Sequence, residues 1–284
     1  MTKKKKVGCF FAAILVLPIS ILVQYLVMIP MTGFTAIGIL SSNLKEGIPA
    51  SALAMQLYEV VSGDLFTDIL QIVYSVAVIA LFGWWLRAEF KKDAKPALKK
   101  GKTLLVFLIG LFLLMIGLQY LTEIVYEGIA AVSPQTAEDY EMLTEMAGMD
   151  EPTPLMYLYV VVLGPIGEEL MFRGVVLKNF RRIMPFAFAN ILQAVLFGIY
   201  HMNVMQSLYT IVAGLLFGLI AEKGGRMVDS ILAHMMFNLL GITGLLYLWA
   251  DNPYFQFVWM PVMVLTLILG SMMLFPGDEK AAEA

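Results

Sequence analysis

The chain holds two histidines, His201 and His234, and each lies inside a strongly apolar segment. A third apolar segment carries the adjacent acids Glu168-Glu169, with Arg173 four residues beyond Glu169. Ionisable groups in hydrocarbon are costly, so they mark function and seek partners. Two imidazoles and a carboxylate are also what the activation of a water molecule requires.

The elements that would bring these groups together are helices. Glu169 and Arg173, four apart, share one helical face and can pair. Glu168 is rotated by about 100° from its neighbour, so it meets a different environment. One acid is held in structure and the other is free to act. The turn between Glu168 and His201 falls at Ile183-Met184-Pro185. Both residues lie equally far from the Met184/Pro185 junction, so an antiparallel hairpin sets them at similar depth. On a further segment His234 and Asn238 are four apart and share a face. Its depth relative to His201 requires tilt or a broken helix end near Asn203. Taken singly, the Glu169–Arg173 pair reads as structural and Asn238 as interhelical glue. The bland reading weakens because all the histidine falls in the same three segments as the glutamate pair.

Of 284 residues, 60% are hydrophobic and 14% charged, which excludes an ordinary soluble domain. The fold class expected is all-α, a polytopic membrane bundle of about eight helices at about 20 residues per crossing. The apolar stretches lie at about 8–31, 66–86, 103–123, 154–182, 185–201, 205–221, 227–249 and 254–275. Lys3 to Lys6, the run from Arg87 to Lys102, the cluster Lys178, Arg181 and Arg182, and Lys223 with Arg226 all fall on one side, so both termini are expected in the cytoplasm. Segment 123–151 contains no Lys or Arg and reads as an outside cap or a solvated outside connection, the latter preferred. Residues 1–284 form one transmembrane domain, with a motif-bearing core at about 154–249 and accessory spans over 8–123. The lone Cys9 excludes an intramolecular disulfide or a cysteine metal cluster. No basic surface for nucleic acid is present. Gly214 and Gly218 form a small-x-x-x-small pair for close packing within the bundle.

In order and on these segments, Glu168-Glu169-x-x-x-Arg173, Phe197-x-x-x-His201 and His234-x-x-x-Asn238 resemble the motifs of the CPBP family. That family comprises type II CAAX prenyl endopeptidases and bacterial bacteriocin-processing, self-immunity or Abi-type proteins. The resemblance covers residues 164–238. It implies an intramembrane peptidase in which Glu168 is the general base and His201 shares the orientation of the water. His234 and Asn238 would stabilise the oxyanion, and Glu169 and Arg173 would brace the helix, with Phe197 part of the supporting motif. A second mechanism uses Glu168, His201 and His234 as ligands of Zn²⁺, with an open position for water, as in a metalloprotease. The metal-free version, with no cofactor, is preferred.

Two other classes compete. One is a non-proteolytic immunity factor or scaffold that keeps the motifs for structure. The other is a proton-coupled transporter, against which stands the lack of an inverted repeat with paired broken helices. The partners expected are the lipid bilayer and a membrane-associated peptide or protein substrate, with prenylation or another lipid modification left open. The location expected is a bacterial cytoplasmic membrane.

Overall fold

The computed structural model describes residues 1–43, 48–90, 101–224, 226–247 and 255–275. The basic stretch 91–100, the turn at Asp251-Asn252-Pro253, the tail 276–284, Lys45 and Gly225 lie outside the described residues. Among the described residues the structure is helical throughout, with no strand, and forms an all-α membrane bundle.

In chain order the helices are α1 (Lys3–Ile14), α2 (Val16–Asn43), α3 (Ala50–Val61), α4 (Asp64–Glu89), α5 (Gly101–Val132) and α6 (Pro134–Met146). There follow α7 (the helical run 154–181), α8 (Phe186–Tyr200), α9 (Val204–Gly224), α10 (Met227–Thr243) and α11 (Phe255–Leu274). Four are long and apolar enough to cross a membrane: Val16–Asn43, Asp64–Glu89, Thr103–Val132 and Val204–Gly224. Three shorter apolar helices, Phe186–Tyr200, Met227–Thr243 and Val258–Leu274, join them. Together with α7 they account for the apolar stretches of the sequence.

Prolines shape this bundle where it matters. The first apolar stretch breaks at Leu15, between α1 and α2. Pro18 accounts for the break, because it has no N–H to give to the carbonyl of Ile14 and its ring crowds that carbonyl. Helix α7 is interrupted by a wide turn over Leu158–Leu163 and a second over Leu170–Val176. In the first, the N–H of Gly164 bonds to the carbonyl of Tyr159, five residues back. The π register relieves the clash that Pro165 would otherwise make one turn earlier.

Two apolar cores flank α7. One gathers Ala13, Val16, Tyr74, Val78 and Phe82 around Met171 to Phe180 of α7. The other joins α5, α9 and α10 through Leu111, Met115, Phe217, Ala233 and Phe237. Two segments between the apolar stretches are also helical, residues 50–61 and residues 134–146. The latter, α6, is largely exposed, with Ala137 its one buried residue, but it is docked rather than loose. Tyr140 packs edge-to-face on Tyr209 of α9, and the two hydroxyls are 3.0 Å apart.

The α8–α9 hairpin is tight. His201 and Met202 close onto the carbonyls of Gly198 and Ile199, both at 3.1 Å, and Met202 takes φ +56°. Asn203 then caps α9 by accepting the N–H of Gln206 at 3.0 Å. The broken end expected near Asn203 is this reversal. A Cβ on Gly214 would meet Phe197 at 3.1 Å, and one on Gly218 would meet Asn190 Oδ1 at 1.8 Å, so both glycines do serve packing inside the bundle. At Gly198 a Cβ would come within 2.6 Å of the Ser207 carbonyl. Gly198→Ala is therefore expected to lose about 1–3 kcal/mol by overpacking. Gly83→Ala, where nothing lies within 4 Å, should be neutral or slightly stabilising. Thermal unfolding of both variants in detergent checks this, and equal midpoints would refute the tight approach.

Candidate active site

The site lies at the seam between the two cores. Phe197 belongs to one and Phe217 to the other, and the Arg173 guanidinium sits between their rings, at 4.6 Å and 5.2 Å from the centroids. Arg173 is 2 % exposed and Glu169 is fully buried. Their ion pair closes at 2.8 Å, as the four-residue spacing predicts. Arg173 also donates to the carbonyl of Gly214 at 3.2 Å, and Gln193 donates to the same oxygen at 2.8 Å. The pair thus joins α7 to α9.

Glu169 does more than brace its helix. Its Oε1 lies 3.0 Å from His234 Nδ1 on α10. An ionised carboxylate only accepts, so Nδ1 carries the hydrogen. The opposite nitrogen, Nε2, faces Glu168 Oε2 at 3.5 Å. His234 therefore stands between the two acids, and Phe217 stacks on its ring at 4.8 Å. Glu168 differs from its neighbour in burial. Its side chain is 18% exposed, against none for Glu169.

His201 ends α8. Its Nδ1 is 2.8 Å from the carbonyl of Phe197. A carbonyl can only accept, so in the neutral ring Nδ1 donates and Nε2 is an acceptor. Asn238 has a definite partner as well. Its amide donates to the carbonyl of Val160 at 2.9 Å. The reason lies in α7. The N–H of Gly164 is taken by Tyr159, and Pro165 has no N–H, so the Val160 carbonyl has no backbone donor in its own helix. Asn238 supplies one and keeps a second N–H.

Glu168, His201, His234 and Asn238 all line one cavity of about 230 Å³, with Phe197 in its wall. Sequence reasoning missed part of the lining. Tyr74 and Tyr200 meet there, their hydroxyls 2.9 Å apart, and Val160, Gln206 and Tyr209 complete the upper wall. Tyr200 stands next to His201 in sequence, which was the one available signal. Helix α4, from the N-terminal spans, contributes Gln71, Tyr74 and Ser75 to this cavity. For Zn²⁺, the three candidate ligands Glu168, His201 and His234 share the cavity. However, among the described residues no three of His, Cys, Asp and Glu are grouped as a metal ion requires.

Residues 150–240 match a family model described as type II CAAX prenyl endopeptidase Rce1-like. A stretch of 88 residues is 31% identical to a protein of Bacillus subtilis (strain 168) named "Putative membrane peptidase YdiL". That similarity covers 31% of this chain and 36% of the relative, so the chain spans little more than a third of the relative's length. No solved structure matches the chain.

The buried charges allow a direct test. Removing one member leaves the other uncompensated, which costs about 3–5 kcal/mol. Glu169→Gln and Arg173→Met are each expected to lower the free energy of unfolding in detergent by that order. The double variant should lose clearly less than the sum. Additive losses in this double-mutant cycle would show that the two groups are not coupled.

Proposed function

We propose, from the match of residues 150–240 to the type II CAAX prenyl endopeptidase Rce1-like family model, that this multi-pass membrane protein is an intramembrane endopeptidase of the CPBP family. The observation that carries the reading is the common cavity. Both histidines of the chain line it together with the carboxylate of Glu168.

In this reading a water molecule lies between Glu168 and His201. The acceptor Nε2 of His201 orients it, and Glu168 takes its proton as the oxygen attacks the scissile carbonyl. His234 and the second N–H of Asn238 face the oxygen of that carbonyl. Glu169 holds the ring of His234 from behind, so Nε2 is fixed at the cavity. A proton passed from Glu168 to Nε2, 3.5 Å away, makes the ring a donor to the developing oxyanion. Donors fixed in advance, where water is scarce, are worth more than the same groups in solution. The proton then goes to the leaving amine, and both products depart. The substrate is a peptide bond in a membrane-associated protein or peptide. Lipid modification of that substrate is not required by the residues named.

The zinc mechanism is the second reading, supported by the donor set of Glu168, His201 and His234 in one cavity. It is separated by metal content and chelator sensitivity of the purified protein. Activity lost to chelator and restored by Zn²⁺ would overturn the metal-free account.

Glu168→Gln and His201→Ala are expected to abolish cleavage while leaving the unfolding midpoint within about 1 kcal/mol of wild type, since Glu168 is partly solvated and outside the buried ion pair. The readout is comparative peptidomics of wild-type and Glu168→Gln cells, in which an uncleaved peptide should accumulate. If both variants rescue a deletion strain as well as wild type, the immunity, scaffold or transport readings gain and the peptidase reading fails.

A further inference from the structure

The charges of the bundle are sorted by end, and so is the opening of the cavity. At one end lie Arg87 of α4, Arg181 and Arg182 of α7, and Lys223 of α9. These termini are tied together. Arg182 pairs with Glu89 at 2.5 Å and Arg181 with Glu222 at 2.8 Å. Phe10 packs on Phe180 at 6.1 Å, which carries the lysines at the start of α1 to the same end. At the other end lie Asp64, Asp68, Glu123, and the acids of α6 and the turn after it. Thr153 hydrogen-bonds Asp68 there. Among the described residues no Lys or Arg lies at that end.

The cavity is closed towards the basic end. Met171, Phe197 and Phe217 form its floor, with the Glu169–Arg173 pair packed behind the two phenylalanine rings, and each is 2 % exposed or less. Its remaining wall climbs the other way, to Gln71 near the start of α4, Tyr159 near the start of α7, and Met149 just past α6. Helix α8 stops at Tyr200, level with the site, so the α8–α9 reversal leaves room above it. A second lobe of about 450 Å³ continues from the first, sharing Val160, Gln206, Tyr209 and Asn238 with it. It runs beneath α6, between α5 and α10. Gln119, Thr122, Tyr126, Tyr140 and Thr144 line it with amides and hydroxyls, and Glu123 is the one charged residue in its wall.

We propose that the site receives its substrate from the acidic end, which is the extracytoplasmic side, and that the second lobe holds the polypeptide leading to the scissile bond. The sidedness follows because clustered Lys and Arg mark the cytoplasmic face. The occupant follows from the lining and from its continuity with the site. Amides and hydroxyls set among Met149, Val160, Phe237 and Ile242 suit a peptide, which is polar along its backbone and mixed in its side chains. With Glu123 its one charged residue, the wall offers no compensating charge for an anion. The substrate class is thus an exported peptide or the outward-facing segment of a membrane protein, not a cytoplasmic tail. The proposal rests on the endopeptidase reading for the chemistry, but the sidedness stands on the structure alone.

Labelling separates the two. In a Cys9→Ser background, single cysteines are placed by Gln206→Cys in the shared wall, Thr144→Cys in the second lobe, and Lys223→Cys at the basic end. In intact cells a membrane-impermeant maleimide is expected to label the first two, and Lys223→Cys only after permeabilisation. The opposite pattern, or labelling of all three in intact cells, overturns the sidedness. An internally quenched peptide with an acyl anchor, added to right-side-out vesicles, is then the probe of turnover. Maleimide at Thr144→Cys should abolish its cleavage, and unchanged cleavage after full labelling overturns the role of the second lobe. The endopeptidase reading fails separately, if purified Glu168→Gln cleaves the probe as fast as wild type or if neither cleaves it.

Discussion

A guanidinium that cannot leave the bundle dictates much of what surrounds it. Arg173 is buried among aromatic rings, and an isolated charge there would cost several kcal/mol. Glu169 compensates it one turn away, and the Gly214 carbonyl takes a further N–H. The same carboxylate oxygen then reaches His234. Three helices, α7, α9 and α10, are thereby fixed to one another through a single charge. The consequence for chemistry is geometric. His234 cannot turn, because one face is stacked on Phe217 and one nitrogen is bound to Glu169, so its other nitrogen is fixed at the cavity.

Backbone irregularity serves the same end. A regular helix through Pro165 would force a clash or an orphaned carbonyl, and the π turn resolves it by changing register. The carbonyl it leaves free at Val160 is met by Asn238 from α10. Interhelical glue and a polar group lining the cavity are then the same residue. An amide with two N–H groups can satisfy one helix and still present a donor to the cavity. The two readings of Asn238 offered by its sequence context do not exclude each other.

How much of this is legible in the sequence depends on whether the signal is local. The membrane class is legible, because long apolar runs with charges sorted by loop have few other solutions. The pairing of Glu169 with Arg173 is legible from spacing alone, and the similar depth of Glu168 and His201 from their distances to one turn. The contact between His234 and both acids is not, because α10 is separated from α7 by a hairpin whose tilt no local rule sets. The packing of Phe217 on His234 is hidden for the same reason, since one more phenylalanine on an apolar helix is unremarkable. Helix α6 misleads differently. Its acids advertise solvent, while a single tyrosine contact with α9 decides where it lies. Gly164-Pro165 could have announced the π turn, because a proline within an apolar run must displace the hydrogen bond of an earlier carbonyl.

The two adjacent acids show how one helix supports opposite demands. A carboxylate that anchors a structure must be desolvated and fully paired, or it adds nothing to specificity. One that accepts a proton in a reaction must keep contact with water and must not be committed to a permanent cation. Neighbouring positions on a helix differ by about 100°, which is enough to put Glu169 in the packed seam and Glu168 at the cavity. His234 spans the difference, with one nitrogen on each acid. If the two acids exchanged places, the charge of Arg173 would be drawn to the cavity and the carboxylate proposed as the base would be buried. The order Glu168-Glu169, rather than the mere presence of two acids, is therefore what the Arg173 position selects. The i,i+4 reach from Arg173 falls on the second acid and leaves the first to the water.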